Sequence, residues 1–479
     1  MRLIIWMQKL RLPILLIFIL SSFSVFAFGS DVSFLGLYMQ GQKIGYASYR
    51  EFKGTLHGKP VKESSSITKI SAGLLGSTMT LSSSSTTVSN SAGKLVSMTF
   101  DEDSGGRSQT LSALFLAKTV KLTLNNTGTI SHVVLPLPHG EITDDPLSGV
   151  VLGKMKLGTK KTIFVLDPTT ASFVQNTVIF QGKKSVTVRG VPVPSFWVQI
   201  IDPRASTDVY VKPNGDLIKI EGAMGIEMIP MSKFDAVAGL GKSKIDLALG
   251  SRIVPKPALS TPGSLSDLKI RVTTAGKSSI IPSDPGQSVS GGNGDWTIDI
   301  HPVKFDLPSN DTISQASASM AAWTKPDTDI PSDEPRFKNL AKSIVGDTTD
   351  VGEAARKIQL WVNGQMTPDA SIAVLRNANE VLDSKRGVCR DYSILTATLL
   401  RAAGIPARLD TGLVSWDGDF YYHAWDEFYD GKNWIGLDST TTDAQLSAAH
   451  VELARGNVSQ AYLAPFLQSP SITILATKY

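Results

Sequence analysis

The chain has 479 residues, of which 42% are hydrophobic, 19% charged and 8% aromatic, enough apolar material for two or three packed domains. That balance excludes a collagen, a coiled coil and a chain disordered throughout, and a single cysteine excludes a disulfide scaffold. One long apolar run excludes a polytopic membrane protein. The formal charge of +4, much of it in Arg2, Lys9 and Arg11, comes with no basic stripe interleaved with aromatics, so nucleic acid is not an expected partner.

Those three basic residues precede an apolar stretch at 12–28 that contains PILLIFIL and ends in Val25-Phe26-Ala27. A charged start, a short apolar run and small residues at −3 and −1 describe a secretory signal peptide, residues 1–27, cleaved after Ala27. The other reading is an uncleaved anchor of about 17 residues, short for a bilayer. No cysteine follows it, so lipid anchoring is excluded. The expectation is an exported protein, periplasmic or secreted, that meets a membrane only if this segment is retained. In an oxidising compartment a lone cysteine is either an inert buried thiol or one kept for its chemistry.

Residues 28–254 read as one large antiparallel β-domain, a strongly curved sheet or half-barrel. Period-two runs bounded by Gly, Asn, Asp and Pro recur at Ser77–Val88, Leu95–Phe100, Val120–Leu124, Ile130–Leu135, Lys161–Leu166, Phe173–Phe180, Ser185–Arg189 and Phe196–Asp202. Asn125-Asn126-Thr127-Gly128 separates two of these runs. Asn214-Gly215, between VYVK and DLIKIEG, is a strong hairpin signal. The serine patch Ser82–Ser85 lies inside a strand pattern and reads as a solvated face. The scattered histidines His57, His132 and His139 offer no metal-binding spacing and read as exposed.

PKPALSTP (Pro255–Pro262) opens a stiff joint and small β-unit over 255–325, with strands at Leu268–Thr273 and Trp296–Ile300. From about Pro335 the period becomes helical, through Phe337, Leu340, Ala341 and Ile344, then Ala354, Ala355, Ile358, Gln359 and Val362. Helices followed by paired strands make 326–479 an α+β domain.

In that domain Cys389 opens a segment with Tyr392, Leu395, Leu399 and Leu400 on one stripe, ended by Gly404 and Pro406. Cys389 therefore falls in the first turn of a buried helix, where unpaired N–H groups and the positive dipole end favour a negative sulfur. Asp391 reads as a first-turn carboxylate. Further on, FYYHAWDEFYDGKNWIGLDST is a hairpin turning near Asp430-Gly431. If those two residues are the whole loop, His423 and Asp438 are direct cross-strand neighbours. A four-residue loop, 430–433, keeps them on one face but diagonal, and a three-residue loop separates them. Trp425, Trp434, Tyr421 and Tyr429 read as hairpin packing. A Cys, a His and an Asp facing that His fit the roles of nucleophile, base and orienter.

RGVCRDYSILTATLLRAAGIPAR, YYHAWDEFY and WIGLDST are similar to the three signature blocks of the transglutaminase-like superfamily, a papain-like Cys-His-Asp fold common in bacteria. The resemblance covers about 335–442. It implies Cys389 as nucleophile, His423 as base and Asp438 as third member. Where the family often has Asp-Pro-Thr, this chain has Asp438-Ser439-Thr440, which loosens the turn without removing the carboxylate. The expected substrate is a peptide or protein amide, with a thioester intermediate and hydrolysis favoured over amine transfer. The alternative is a non-catalytic scaffold whose β-domain recognises an envelope partner. The backbone N–H of Cys389 is the natural oxyanion donor, and Trp361, Asn363 and Gln365 are open candidates for a second. No cofactor or metal is expected, because the six histidines form no H-E-x-x-H pair and no calcium loop is present.

Overall fold

The computed structural model describes residues 32–461 and 470–479, apart from 75–76, 106, 127–128, 148–155, 204, 244, 275–280 and 373–374. The signal-peptide reading of 1–27 and the Thr127-Gly128 turn lie outside the described residues.

Alternating side chains build the first domain into a fifteen-stranded sheet. Val32–Met39 lies at its centre, pairing on one side with Gln42–Leu56 and on the other with Ile226–Met231. From the centre the strands run outward in sequence order to Thr129–Pro136, and the other half returns from Glu141–Ile142. All pairings are antiparallel except the last, where Glu141–Ile142 runs parallel to Lys160–Asp167. The sheet is rolled: Leu35, Leu37, Ile70 and Leu81 from one half share an apolar cluster with Ile163, Val178, Val198 and Val209 from the other. Leu166 and Phe173 likewise meet Phe100, Leu111 and Leu122.

The Asn214-Gly215 hairpin forms as expected, with Val209 opposite Ile220. The two runs read at 173–180 and 185–189 are one strand, Ser172–Val188, with its register broken between Phe180 and Gly182. The glycine (φ 101°) takes a bulge that looked like a strand end. The serine patch lies in a strand, yet Ser83 and Thr87 are buried, so only part of that face is solvated. His57, His132 and His139 are exposed.

The small β-unit is larger than its sequence showed. Asp267–Thr273 pairs with Asp295–Ile300 on one side and with Ser471–Lys478 on the other, and Gln287–Gly292 completes four strands. The division of 255–325 from 326–479 therefore does not describe the C-terminal strand. The Pro-rich joint is tied down by backbone hydrogen bonds. Ile253 exchanges two 2.8 Å backbone hydrogen bonds with Phe420, and Lys256 bonds Ile472 and Ile474.

The α+β domain places helices α1 (Pro335–Val345), α2 (Val351–Gln365), α3 (Ala378–Ser384) and α4 (Cys389–Ala402) against a four-stranded sheet. That sheet comprises β1 (Ala407–Trp416), β2 (Asp419–Tyr429), β3 (Trp434–Leu437) and β4 (His450–Gly456), in the order β3-β2-β1-β4. Phe337, Ile358, Leu395, Leu399, Leu409 and Phe428 form its core. The rolled sheet shares an apolar cluster with this domain, in which Leu413, Phe420 and Val451 join Leu35 and Val209. It also meets the domain at a hairpin end: Arg107 pairs with Glu380 of α3, and a Cβ on Gly105 would lie 2.6 Å from the Ser371 carbonyl oxygen.

Candidate active site

Helix α4 starts at Cys389, as its stripe and its Gly404 terminus require, and the cysteine is buried at 6% exposure. Asp391 anchors this start. Its Oδ2 accepts from the Val388 N–H at 2.9 Å, and its Oδ1 accepts from Arg376 Nε at 3.0 Å. Burial opposes ionisation of Asp391, but Arg376, Arg390 and the Val388 N–H together hold its carboxyl below the usual range. Gly387 makes the approach feasible, since a Cβ there would come within 2.5 Å of the Arg376 guanidinium. Asp391 is thus the first-turn carboxylate expected, and Arg376, with no local sequence pattern to mark it, is its buried counter-ion.

In the hairpin, Tyr429 pairs with Trp434, so the loop is 430–433 and Asp438 falls diagonal to His423. Of the loop lengths left open by the sequence, the four-residue one forms. Asp430 Oδ1 accepts from the Lys432 and Asn433 N–H groups, which builds the longer turn. The diagonal suffices: His423 Nε2 lies 2.8 Å from Asp438 Oδ2. Asp438 Oδ1 accepts from the Thr440 N–H and hydroxyl at 2.8 and 2.6 Å, so the turn holds without proline. Gln359 and Asn363 of α2 reach across to the carbonyl oxygens of Asp438 and Ser439, at 2.9 and 3.0 Å.

Cys389 sits beside His423, and its sulfur raises the basicity of the ring. Nδ1, the nitrogen that Asp438 leaves over, makes no well-formed hydrogen bond, a contact of the kind that tightens around substrate. Burial lowers the affinity of His423 for a proton, but the Asp438 charge and hydrogen bond, with the neighbouring sulfur, outweigh it and raise the pKa to about 9. Burial would also raise Asp438, yet His423 and His450 hold it well below the usual carboxylate range. Asp426, across the hairpin from Leu437, goes the other way, pushed well up by burial and then by Asp438. The result is an ionised Asp438 and an imidazole of raised basicity at the start of α4.

The structure brings all three expected residues together and adds a fourth. His450 Nε2 on β4 lies 3.6 Å from Asp438 Oδ2. Trp425 completes a triangle with the histidines, its ring centroid 6.2 Å from His423 and 5.3 Å from His450, which are 6.1 Å apart. The alternation in HVELARG marks a strand but gives no sign of where its histidine lands. The ligating atoms of His423, Asp438 and His450 lie within 4.8 Å of one another. A metal held there would occupy the base. Of the open oxyanion candidates, Asn363 donates to the Ser439 carbonyl oxygen, whereas Gln365 accepts from Lys385 and Trp361 lies 5.9 Å from the Lys385 ammonium, contacts that leave their own N–H groups unassigned.

A match to the family model of the transglutaminase-like superfamily spans residues 338–439 and encloses Cys389, His423 and Asp438. The chain carries a transglutaminase-like domain. No curated protein matches the chain. Three solved structures are similar to parts of it. A protein from Cytophaga hutchinsonii provisionally named a cysteine protease shares 20% identity, with 45% of this chain and 88% of that one covered at a TM-score of 0.33. A beta-barrel-like protein of a domain of unknown function from Brucella abortus shares 13%, covering 42% and 96% at 0.30. A protein from Parabacteroides distasonis provisionally named a protease also shares 13%, covering 77% and 65% at 0.19. His450 lies beyond the matched residues, so the transglutaminase-like domain is completed by a strand outside its family signature.

Proposed function

We propose that this protein is an exported thiol hydrolase that cleaves amide bonds of peptides or proteins. The observation that carries the reading is the 2.8 Å His423–Asp438 contact with Cys389 beside the same imidazole. In the proposed cycle the Cys389 thiol passes its proton to His423 and the sulfur adds to the amide carbonyl carbon, while the oxyanion meets the Cys389 N–H at the helix start. His423 gives its proton to the departing nitrogen as the C–N bond breaks, leaving a thioester. It then takes a proton from water, whose oxygen displaces the sulfur and releases the acid. Asp438 holds the ring orientation throughout. Water is favoured as acceptor, with an amine the competing one. The rolled sheet is the part available to an envelope partner.

The test is product analysis. Casein is incubated in ¹⁸O-water with a biotinylated alkylamine, using the full chain and Cys389→Ala, and the products are read by mass spectrometry. New termini carrying ¹⁸O from the wild type alone support hydrolysis. Amine conjugates in their place move the reading to transfer. Equal turnover by Cys389→Ala removes the nucleophile, and no turnover or thiol alkylation by the wild type favours the scaffold.

A further inference from the structure

Behind the triad, on the far side of Trp425 and His450, lies a cavity that the proposed reaction does not use. Its walls include Trp425, Trp434, Asp410, Glu427, Glu452 and His450. It runs from an exposed rim at Pro285 and Gln445 to Asp410, which is 0% exposed. Asp284 also borders it, so four carboxylates face two guanidinium groups.

Three of the four are paired. Glu427 accepts from Arg408 Nε at 2.5 Å, Asp284 accepts from Arg455 at 2.5 Å, and Glu452 lies 3.4 Å from Arg455. Asp410 is different: both of its oxygens are buried without a hydrogen-bond partner. The strand register explains its position, since Asp410 lies directly opposite Trp425 on one side and Arg455 on the other. A buried carboxylate in that state either keeps a proton or waits for a cation. Burial and the nearby Glu427 and Glu452 do favour the proton here, holding Asp410 well above the ordinary range.

The kind of cation follows from the walls. A hard metal ion needs several oxygens converging on one point, but among the described residues the converging set is His423, Asp438 and His450, not these acids. Two indoles with Pro302, Val303 and Leu446 instead make an apolar, aromatic wall around a single unpaired carboxylate. That combination suits a point charge on an aliphatic stem. A guanidinium would present a fork to an acid already crowded by two arginines.

We propose that this cavity binds a primary ammonium group on an aliphatic chain, with Asp410 as its counter-ion and Trp425 and Trp434 as its walls. The ammonium comes from a small diamine or from a lysine side chain. Because Trp425 also stands against His423 and His450, occupancy of the cavity bears on the triad from behind.

The test needs no turnover. The full chain is titrated with 1,5-diaminopentane and, separately, with Nα-acetyl-lysine methylamide, following tryptophan fluorescence. Tetramethylammonium, calcium and magnesium chlorides at matched ionic strength serve as controls. A saturable change with either amine is expected, weakened at least about tenfold in Asp410→Asn and in Glu452→Gln. Thermal melting of both variants checks that the fold is kept. The diamine binding alone identifies a free amine as the ligand, and the lysine derivative binding alone identifies a protein side chain. The proposal is overturned by no saturation with either amine, by equal affinity in Asp410→Asn, or by saturation with the divalent ions alone.

Discussion

The rolled sheet and the transglutaminase-like domain bury different things. Inside the sheet the fully enclosed residues are mostly aliphatic, such as Leu37, Ile163, Val198 and Val209. The transglutaminase-like domain encloses the charged groups Arg376, Arg390, Asp391 and Asp438, each at most 1% exposed. Apolar burial is non-directional and fixes shape. A buried charge is tolerated only where partners are placed for it, so each one also fixes direction. Loss of a sheet side chain should therefore lower stability, and loss of a buried charge in the transglutaminase-like domain should change the proposed chemistry or local order.

The sharpest test of that contrast is His423→Ala. It should lower kcat for amide hydrolysis by about 10³–10⁴-fold with the fold kept, as steady-state kinetics and circular dichroism would show. Next is Arg376→Ala, which strands Asp391 without its main counter-ion. It should cost about 3–5 kcal/mol in urea unfolding and disturb the start of α4. Leu37→Ala in the sheet should cost about 2–5 kcal/mol, yet leave kcat unchanged where the protein stays folded. A fall in kcat at constant stability would break the contrast.

Acidity offers a milder probe. Folding raises the pKa of His423 from 6.5 to about 9, so its stabilising contribution is complete below about pH 6.5 and lost as pH rises through about 9. The urea midpoint should fall over that window in the wild type and less steeply in His423→Asn. The smallest effect belongs to the seam between the regions. Arg107 is 18% exposed and Glu380 is buried beneath it, and Arg107→Ala should cost about 1 kcal/mol in the same assay.

What could be read from the amino-acid order follows the range of the interactions involved. Cys389, His423 and Asp438 were legible because helix-start and strand signals each sit within a few residues of the side chain they place. The hairpin was legible in face but not in register, since the loop is set by Asp430 accepting two backbone N–H groups, not by the Asp-Gly pair alone. Most strands of the rolled sheet were visible in their alternation, and the bulge at Gly182 hid one continuity. Arg376, His450 and Asp410 were not legible. Each acquires its meaning from a partner on another element, with no pattern in its own neighbourhood.

The strand Ser471–Lys478 has a kinetic consequence. It closes on Asp267–Thr273, and Lys478 accepts a hydrogen bond from a residue 212 positions earlier. The whole transglutaminase-like domain therefore lies in the loop between these two strands. Contacts of such long range form late, because the entropy of closing the loop comes before any gain from pairing. Until this strand pairs, the Asp267–Thr273 edge of its sheet stays open.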